Sequence, residues 1–382
     1  MRWGVPVAVA AVIGAAIGAG PVIAAVSGDP VLPERSAQQL LADAAAANSK
    51  AGGVPPMSGT VQQTASLGLP ALPQTADTSP LSLLSGSHEV KVWYGAHDKM
   101  RVAIPTQLNE TNLILNGKQG WYWDSSTNTA TRLTVKEGAS QEHGQEHRTP
   151  MPQPSDLTPQ QVAERLLADA EKYTDVRVIN TAEVAGRPAY QLVLAPKAEG
   201  SLVQEVRIAL DGETYVPLQV QVYAKGSAEP AFQVGFTQVT FTPPAPENFA
   251  FTPPAGAKVE EKTLGERSGE HAEERAEKAE DVKDRVKVVG DGWASVAVLP
   301  FDQRDLAAEA AQAPEDGERF GGDADPGALL DSVLRSATPV SGPWGSGKLI
   351  RTKLVTALLT DDGRLLVGPV TPEEITKAAG IR

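Results

Sequence analysis

The chain has 382 residues, 41% of them hydrophobic but only 5% aromatic, no cysteine, and a formal net charge of −13 with an isoelectric point near 5.0. The lack of cysteine excludes disulfides, thiolate zinc sites, cysteine nucleophiles and acylation at a lipobox cysteine. The acidic balance, with no basic patch interleaved with aromatics, argues against nucleic acid as a partner. The length exceeds the roughly 250 residues that one core fills, so two folded units are expected, and 35 Gly and 30 Pro signal many turns in a sheet-rich body.

Residues 1–27 read as an export signal. Arg2 supplies a positive start, and no charge follows from 5 to 26. Ile23-Ala24-Ala25 suits signal-peptidase cleavage, yet the apolar run is long enough to span a bilayer core of about 30 Å. A cleaved signal peptide and an N-terminal membrane anchor both fit. Pro6, Pro21 and the Gly and Ala content weaken a spanning helix and favour cleavage. In either case the remainder is placed outside the cytoplasmic membrane.

Residues 32–47 predict a helix, with Pro33 near its start and Ala37, Leu40, Leu41 and Ala44 on one face. A strand at 58–64 and an aperiodic loop at 66–80 follow. Strand signals then recur at 88–94, 100–104, 112–115, 121–123 and 129–135, with turn chemistry at Gly95-Ala96-His97-Asp98 and Asn116-Gly117. Thr158-Pro159-Gln160-Gln161 reads as a capping box opening a helix that runs to about residue 173. A second meander begins near 176 and continues through 181–184, 189–195, 202–210, 216–224 and 231–241. Val216, Leu218, Val220 and Val222 alternate with Gln219, Gln221 and Tyr223, so one face is apolar and the other wet.

The mixed charges of 258–287 predict a charged linker or helix. Residues 288–382 read as a small α and β domain. It has strand signals at 293–299, an acidic insertion over 302–326, and a hairpin of 349–359 with 365–370 around Asp361-Asp362-Gly363. Thr371-Pro372-Glu373-Glu374 forms a capping box opening a final helix.

Two motifs suggest chemistry and are outweighed by their context. His143-Gly144-Gln145-Glu146-His147 matches a His-x-x-Glu-His zinc pattern, but it sits in a wholly polar stretch framed by Gly138, Gly144 and Pro150, where no apolar face would fix a zinc helix. Gly342 to Lys348 fits a phosphate-binding loop up to its lysine, but Leu349 occupies the magnesium-holding position and a strand follows where a helix is needed. With five histidines and no Gly-x-Ser-x-Gly elbow, no nucleophile and base pair emerges. The expectation is a binding protein rather than an enzyme, with no metal and no cofactor.

Trp121 and Trp123 share one face by period-two geometry, and Trp93 comes from a neighbouring strand. Aromatics so placed fill a closed core more often than they meet a ligand. The series His88 to Tyr94, Asp98-Lys99-Met100-Arg101-Val102, Leu113-Ile114-Leu115-Asn116-Gly117-Lys118 and Trp121-Tyr122-Trp123 resembles the LolA-like lipoprotein carrier superfamily. Ala185-Gly186-Arg187-Pro188-Ala189-Tyr190, Pro217-Leu218, Gly235-Phe236 and Phe249-Ala250-Phe251 look like its later strands. The resemblance covers about 33–257. It implies an α+β fold: an antiparallel unclosed half β-barrel with helices in its concave face, whose cavity takes the acyl chain of a lipid or lipoprotein.

Under that resemblance Trp93, Trp121, Trp123, Leu218, Val220, Val222, Phe232, Val234 and Phe236 line the cavity. More faintly, Gly292 to Val298 and Leu365 to Val370 resemble the second domain of RseB and MucB regulators. That likeness implies a membrane protein, an anti-sigma factor, as a further partner.

Overall fold

The structure, a computed structural model, describes residues 32–50, 53–68, 85–106, 108–135, 167–264, 286–301 and 335–381. The expected export signal, the stretch holding His143 and His147, the start of the helix expected at 158–173, residues 265–285 of the charged stretch and the acidic insertion lie outside the described residues.

Twelve strands form one sheet: β1 (Met57–Ser66), β2 (Ser85–Ala96), β3 (Lys99–Pro105), β4 (Glu110–Asn116), β5 (Gln119–Asp124), β6 (Thr129–Val135), β7 (Thr174–Val184), β8 (Arg187–Pro196), β9 (Val203–Asp211), β10 (Pro217–Ala224), β11 (Pro230–Thr240) and β12 (Lys258–Leu264). Their order is β12-β6-β5-β4-β3-β2-β1-β11-β10-β9-β8-β7. Two meanders run outward from the central pair β1 and β11, and the sheet stays open at β12 and β7. This is the expected unclosed, mostly antiparallel half-barrel.

Helix α1 (Ala37–Lys50) packs against it through the fully buried Leu40. The helix begins later than its periodicity suggests because Ser36 caps it. The Gln39 amide donates to Ser36 Oγ (3.2 Å), and the Ser36 amide donates to Gln39 Oε1 (2.9 Å), a reciprocal capping box that leaves Pro33 outside. Strand β7 is continuous from Thr174, and its two-residue turn to β8 uses Ala185 and Gly186, both at positive φ (54° and 73°), which matches the twist of a tight hairpin.

The first seven residues of the expected charged linker are instead strand β12, parallel to β6. Lys258, Glu260, Glu261 and Lys262 place charges on this edge strand, a pattern that discourages edge-to-edge pairing.

Six further strands form a second sheet: β13 (Lys287–Val289), β14 (Val296–Pro300), β15 (Thr338–Gly342), β16 (Gly345–Arg351), β17 (Thr356–Thr360) and β18 (Arg364–Gly368), ordered β13-β14-β18-β17-β16-β15. Helix α2 (Pro372–Ala379) buries Ile375, Ala378 and Ala379 against Val296, Leu349, Leu358, Leu366 and Val370. Thr371 and Pro372 start α2 as expected, but the Thr371 side chain makes no cap hydrogen bond.

Residues 349–359 are not one strand. Thr352 Oγ1 accepts from the amides of Leu354 and Val355, and this turn separates β16 from β17. Trp293 likewise precedes the strand, in a 3-10 turn at Gly292–Ala294. The two sheets are hydrogen-bonded to each other. The Leu202 amide donates to Pro369 O (2.8 Å), Thr371 to Gly200 O (2.9 Å) and Lys353 to Leu67 O (2.7 Å).

Candidate functional site

Directly opposed residues of an antiparallel pair point to the same side, so the registers trace each face of the large sheet. One row runs Val178, Leu192, Ile208, Val220, Val234, Gln63, and a parallel row joins Phe236, Val61 and Val90. This is the face that α1 covers. Leu40 lies in one cluster with Val61, Tyr190, Leu210, Leu218, Val220, Val234 and Phe236.

Gly59 makes the packing there possible, since a Cβ at that position would sit 2.7 Å from the Phe236 ring. The approach to α1 is fixed by polar contacts: Tyr190 Oη donates to Pro33 O (2.9 Å), Arg35 pairs with Asp43 (3.1 Å), and the Tyr190 and Tyr215 rings stack at 6.4 Å.

The same face continues into the first meander through Val92, Val102, Leu113 and Tyr122, with Met100 and Leu115 beside them. Val102, Ile104, Leu113 and Leu115 belong to none of the described core clusters, and Leu113 is 37% exposed. At the other end of the strands Val222 and Phe232 are half-buried. Among the described residues, the inner face is therefore a closed core beneath α1 and an apolar surface beyond it.

The nine residues expected to form one lining are divided between two faces. Leu218, Val220, Val222, Phe232, Val234 and Phe236 are on the inner face. Trp93, Trp121 and Trp123 are on the outer one, where Trp93 opposes Ser58 and Arg101, Trp121 opposes Ile114 and Arg132, and Trp123 opposes Asn112 and Ala130. Phe251, from the segment after β11, covers both indoles at ring distances of 5.4 and 6.1 Å. The Arg101 and Arg132 guanidinium groups sit over Trp93 and Trp121 at 5.3 and 4.9 Å, and Asn112 Oδ1 accepts two hydrogen bonds from Arg101. Val92, Val102, Leu113 and Leu115 were not among the expected lining residues. Their signal in the sequence is the alternation of Met100, Val102 and Ile104 and of Leu113 and Leu115.

Asp211, fully buried at the β9 turn, accepts from Arg187 and from Thr214 through both its amide and hydroxyl. Burial pushes its carboxyl up, but these donors outweigh that and hold the group below the ordinary aspartate value. Burial and the Asp124 charge raise Tyr122, against a hydrogen bond with Thr111. A cleft of about 450 Å³ beside the start of α1, lined by Glu34, Arg35, Ser36, Gln39, Val178 and Asn180, is polar and unsuited to an acyl chain.

No cluster of three or more metal-ligating side chains occurs among the described residues. The Gly342 to Lys348 motif forms the β15–β16 hairpin, so no helix N-terminus is there to receive phosphate.

A comparison with curated proteins finds no significant match. Among solved structures, the chain is similar to one in the complex of Pseudomonas aeruginosa MucA/MucB, with 14% identity and a TM-score of 0.40 over 90% of this chain and 96% of that one. It is similar to a LolA superfamily protein from Nitrosomonas europaea, with 12% identity and a TM-score of 0.21 over 57% of this chain and 99% of that one. LprF from Mycobacterium bovis matches with 12% identity and a TM-score of 0.25 over 58% and 97%. Residues 75–260, which include most of the large sheet, match the model of a family described as a predicted periplasmic protein, DUF2092.

Proposed function

We propose that this protein works outside the cytoplasmic membrane by holding the acyl chain of a lipid or lipoprotein against the inner face of its half-barrel, without catalysis. The observation that carries this reading is the apolar inner face itself, which runs out from the α1 core onto Val102, Leu113 and Leu115. Burying one methylene contributes about 0.8 kcal/mol, so roughly ten would give about 8 kcal/mol, a gross driving force of micromolar rank, with no specific polar partner. Val222 and Phe232 take part at the margin, while Leu218, Val220, Val234 and Phe236 form the floor under α1. Trp93, Trp121 and Trp123 lie on the opposite face of the first meander, behind Val92, Val102 and Leu113. The periplasmic description of the matched family supports the compartment.

A regulatory role, in which the second unit at 288–382 docks on a membrane anti-sigma factor while the unit at 33–257 senses lipid, is the second reading. It is favoured by the buried Ser201–Val370 bridge, which ties the small sheet to the large one.

Native mass spectrometry with lipid extraction tests both readings, on protein exported through its own N-terminus. Co-purifying acyl lipid that is lost in Leu113→Asp supports binding at the inner face. A clean apo mass, with no uptake of added fatty acid, would overturn it and leave protein docking as the function.

A further inference from the structure

The inner face of the first meander changes character toward its open edge. Followed outward, one register row runs Val102, Leu113, Tyr122, Thr131 and Glu260. The row on one side starts at Ile104 and ends on Lys258, and the row on the other passes Leu115 and ends on Lys262. That β12 offers these three residues to the inner side is fixed by its other face. Glu261 pairs there with Arg132 (3.1 Å), whose guanidinium lies over Trp121 on the outer face, and side chains alternate along a strand.

Tyr122 stands at the seam. It opposes Leu113 on β4 and the buried Thr131 on β6, an apolar neighbour on one side and a hydroxyl on the other. A tyrosine suits such a position, with an apolar ring and a polar tip. From Leu113 to Glu260 is three strand steps, about 14 Å.

Beyond the seam the charges alternate. Lys258, Glu260 and Lys262 succeed one another at about 6.6 Å along β12, and Asp124 lies in the row that ends on Lys258, so the corner holds two carboxylates and two ammonium groups. Lys258 pairs with Glu260, but its side chain is 72% exposed, and an exposed pair of this kind is held weakly and can exchange partners. Protection of the edge asks only for charge; it does not ask for alternating sign on the side that faces the apolar surface. A head group of one negative charge would meet Glu260 and Asp124 as well as the lysines, on a chain whose net charge is −13. A head group carrying both signs meets a partner for each.

We infer that the ligand of the inner face is a phospholipid with a zwitterionic head group, its tail on Leu113 and Leu115, its phosphate at Lys258 and its ammonium at Glu260. This rests on the acyl-binding reading and adds the head group to it: the tail supplies the driving force, and the charged row on β12 selects the lipid.

The test uses the full chain and two lipids of identical tails, phosphatidylethanolamine and phosphatidylglycerol, each competing against one fluorescent fatty acid. The wild type should prefer the ethanolamine lipid by about fivefold or more, and salt should narrow the difference. Glu260→Lys makes the row wholly positive and should turn the preference toward the glycerol lipid. Should that variant not fold by circular dichroism, Glu260→Gln should bring the two affinities together. Equal affinities in the wild type, or a preference for the glycerol lipid, overturn the head-group inference and leave acyl binding standing. An ethanolamine preference that neither variant alters also overturns it, because the head group is then read elsewhere. Uptake of neither lipid, with no fatty acid bound, overturns both readings.

Discussion

Ser201 and Val370, both fully buried, oppose each other in an isolated antiparallel bridge, and there the large sheet and the small sheet become one hydrogen-bonded piece. A second tie lies nearby, where Trp293 Nε1 donates to the buried Thr174 Oγ1 at 2.8 Å. Trp293→Phe removes that bond and strands a buried hydroxyl, at an expected cost of about 1 to 2 kcal/mol. Denaturant unfolding followed by two probes, one per sheet, checks this. Both transitions should move together, and separate transitions in the wild type would show that the ties are too weak to join the sheets.

The inner face should respond differently at its two ends. Leu113→Asp, on the exposed apolar stretch, should leave the denaturation midpoint within about 0.5 kcal/mol of wild type while abolishing displacement of a fluorescent fatty acid. Val234→Asp, buried beneath α1, should cost several kcal/mol because it leaves a charge unpaired in a closed core. Unchanged fatty-acid binding in the stable Leu113→Asp protein would rule this stretch out as the acyl surface.

Trp121→Ala should cost about 3 to 5 kcal/mol through the lost contacts with Phe251, Ile114 and Arg132, and acyl affinity measured on the remaining folded protein should not change. A fall in affinity at unchanged stability would instead place the outer face on the ligand's path.

Asp211 makes stability depend on acid. Its folded pKa lies below its unfolded value, so its contribution is complete above the ordinary aspartate range near about 3.9 and is lost as pH falls through the folded pKa. Asp211→Asn should therefore lower the melting temperature at pH 7, and the gap from wild type should close in acid below about pH 4. A gap that persists unchanged at low pH would mean that the turn is held by the shape of the side chain and not by its charge.

Much of the architecture was legible in the chain. The order of strands in both meanders, the hairpin turns at Gly95-Ala96-His97-Asp98 and Asn116-Gly117, and the apolar face of Val220 and Val234 follow from alternation and turn chemistry, which are local. The Ser36 and Gln39 box was equally local and marks the true start of α1. The parallel pairing of β12 with β6 left no such trace, because its charged residues make a good edge strand only where a free sheet edge is available.

What the sequence determined by itself is therefore what short-range physics writes into it: a cysteine-free chain, two runs of strands, and Trp121 sharing a face with Trp123. Whether those indoles share a face with Val220 depends on the summed registers of every strand between β5 and β10, including a bulge in the β1–β11 pairing. Because side chains alternate with period two, one slip anywhere along that path exchanges the faces. Only the tertiary structure could place the tryptophans outside, under Phe251, and leave the inner face to Val102 and Leu113.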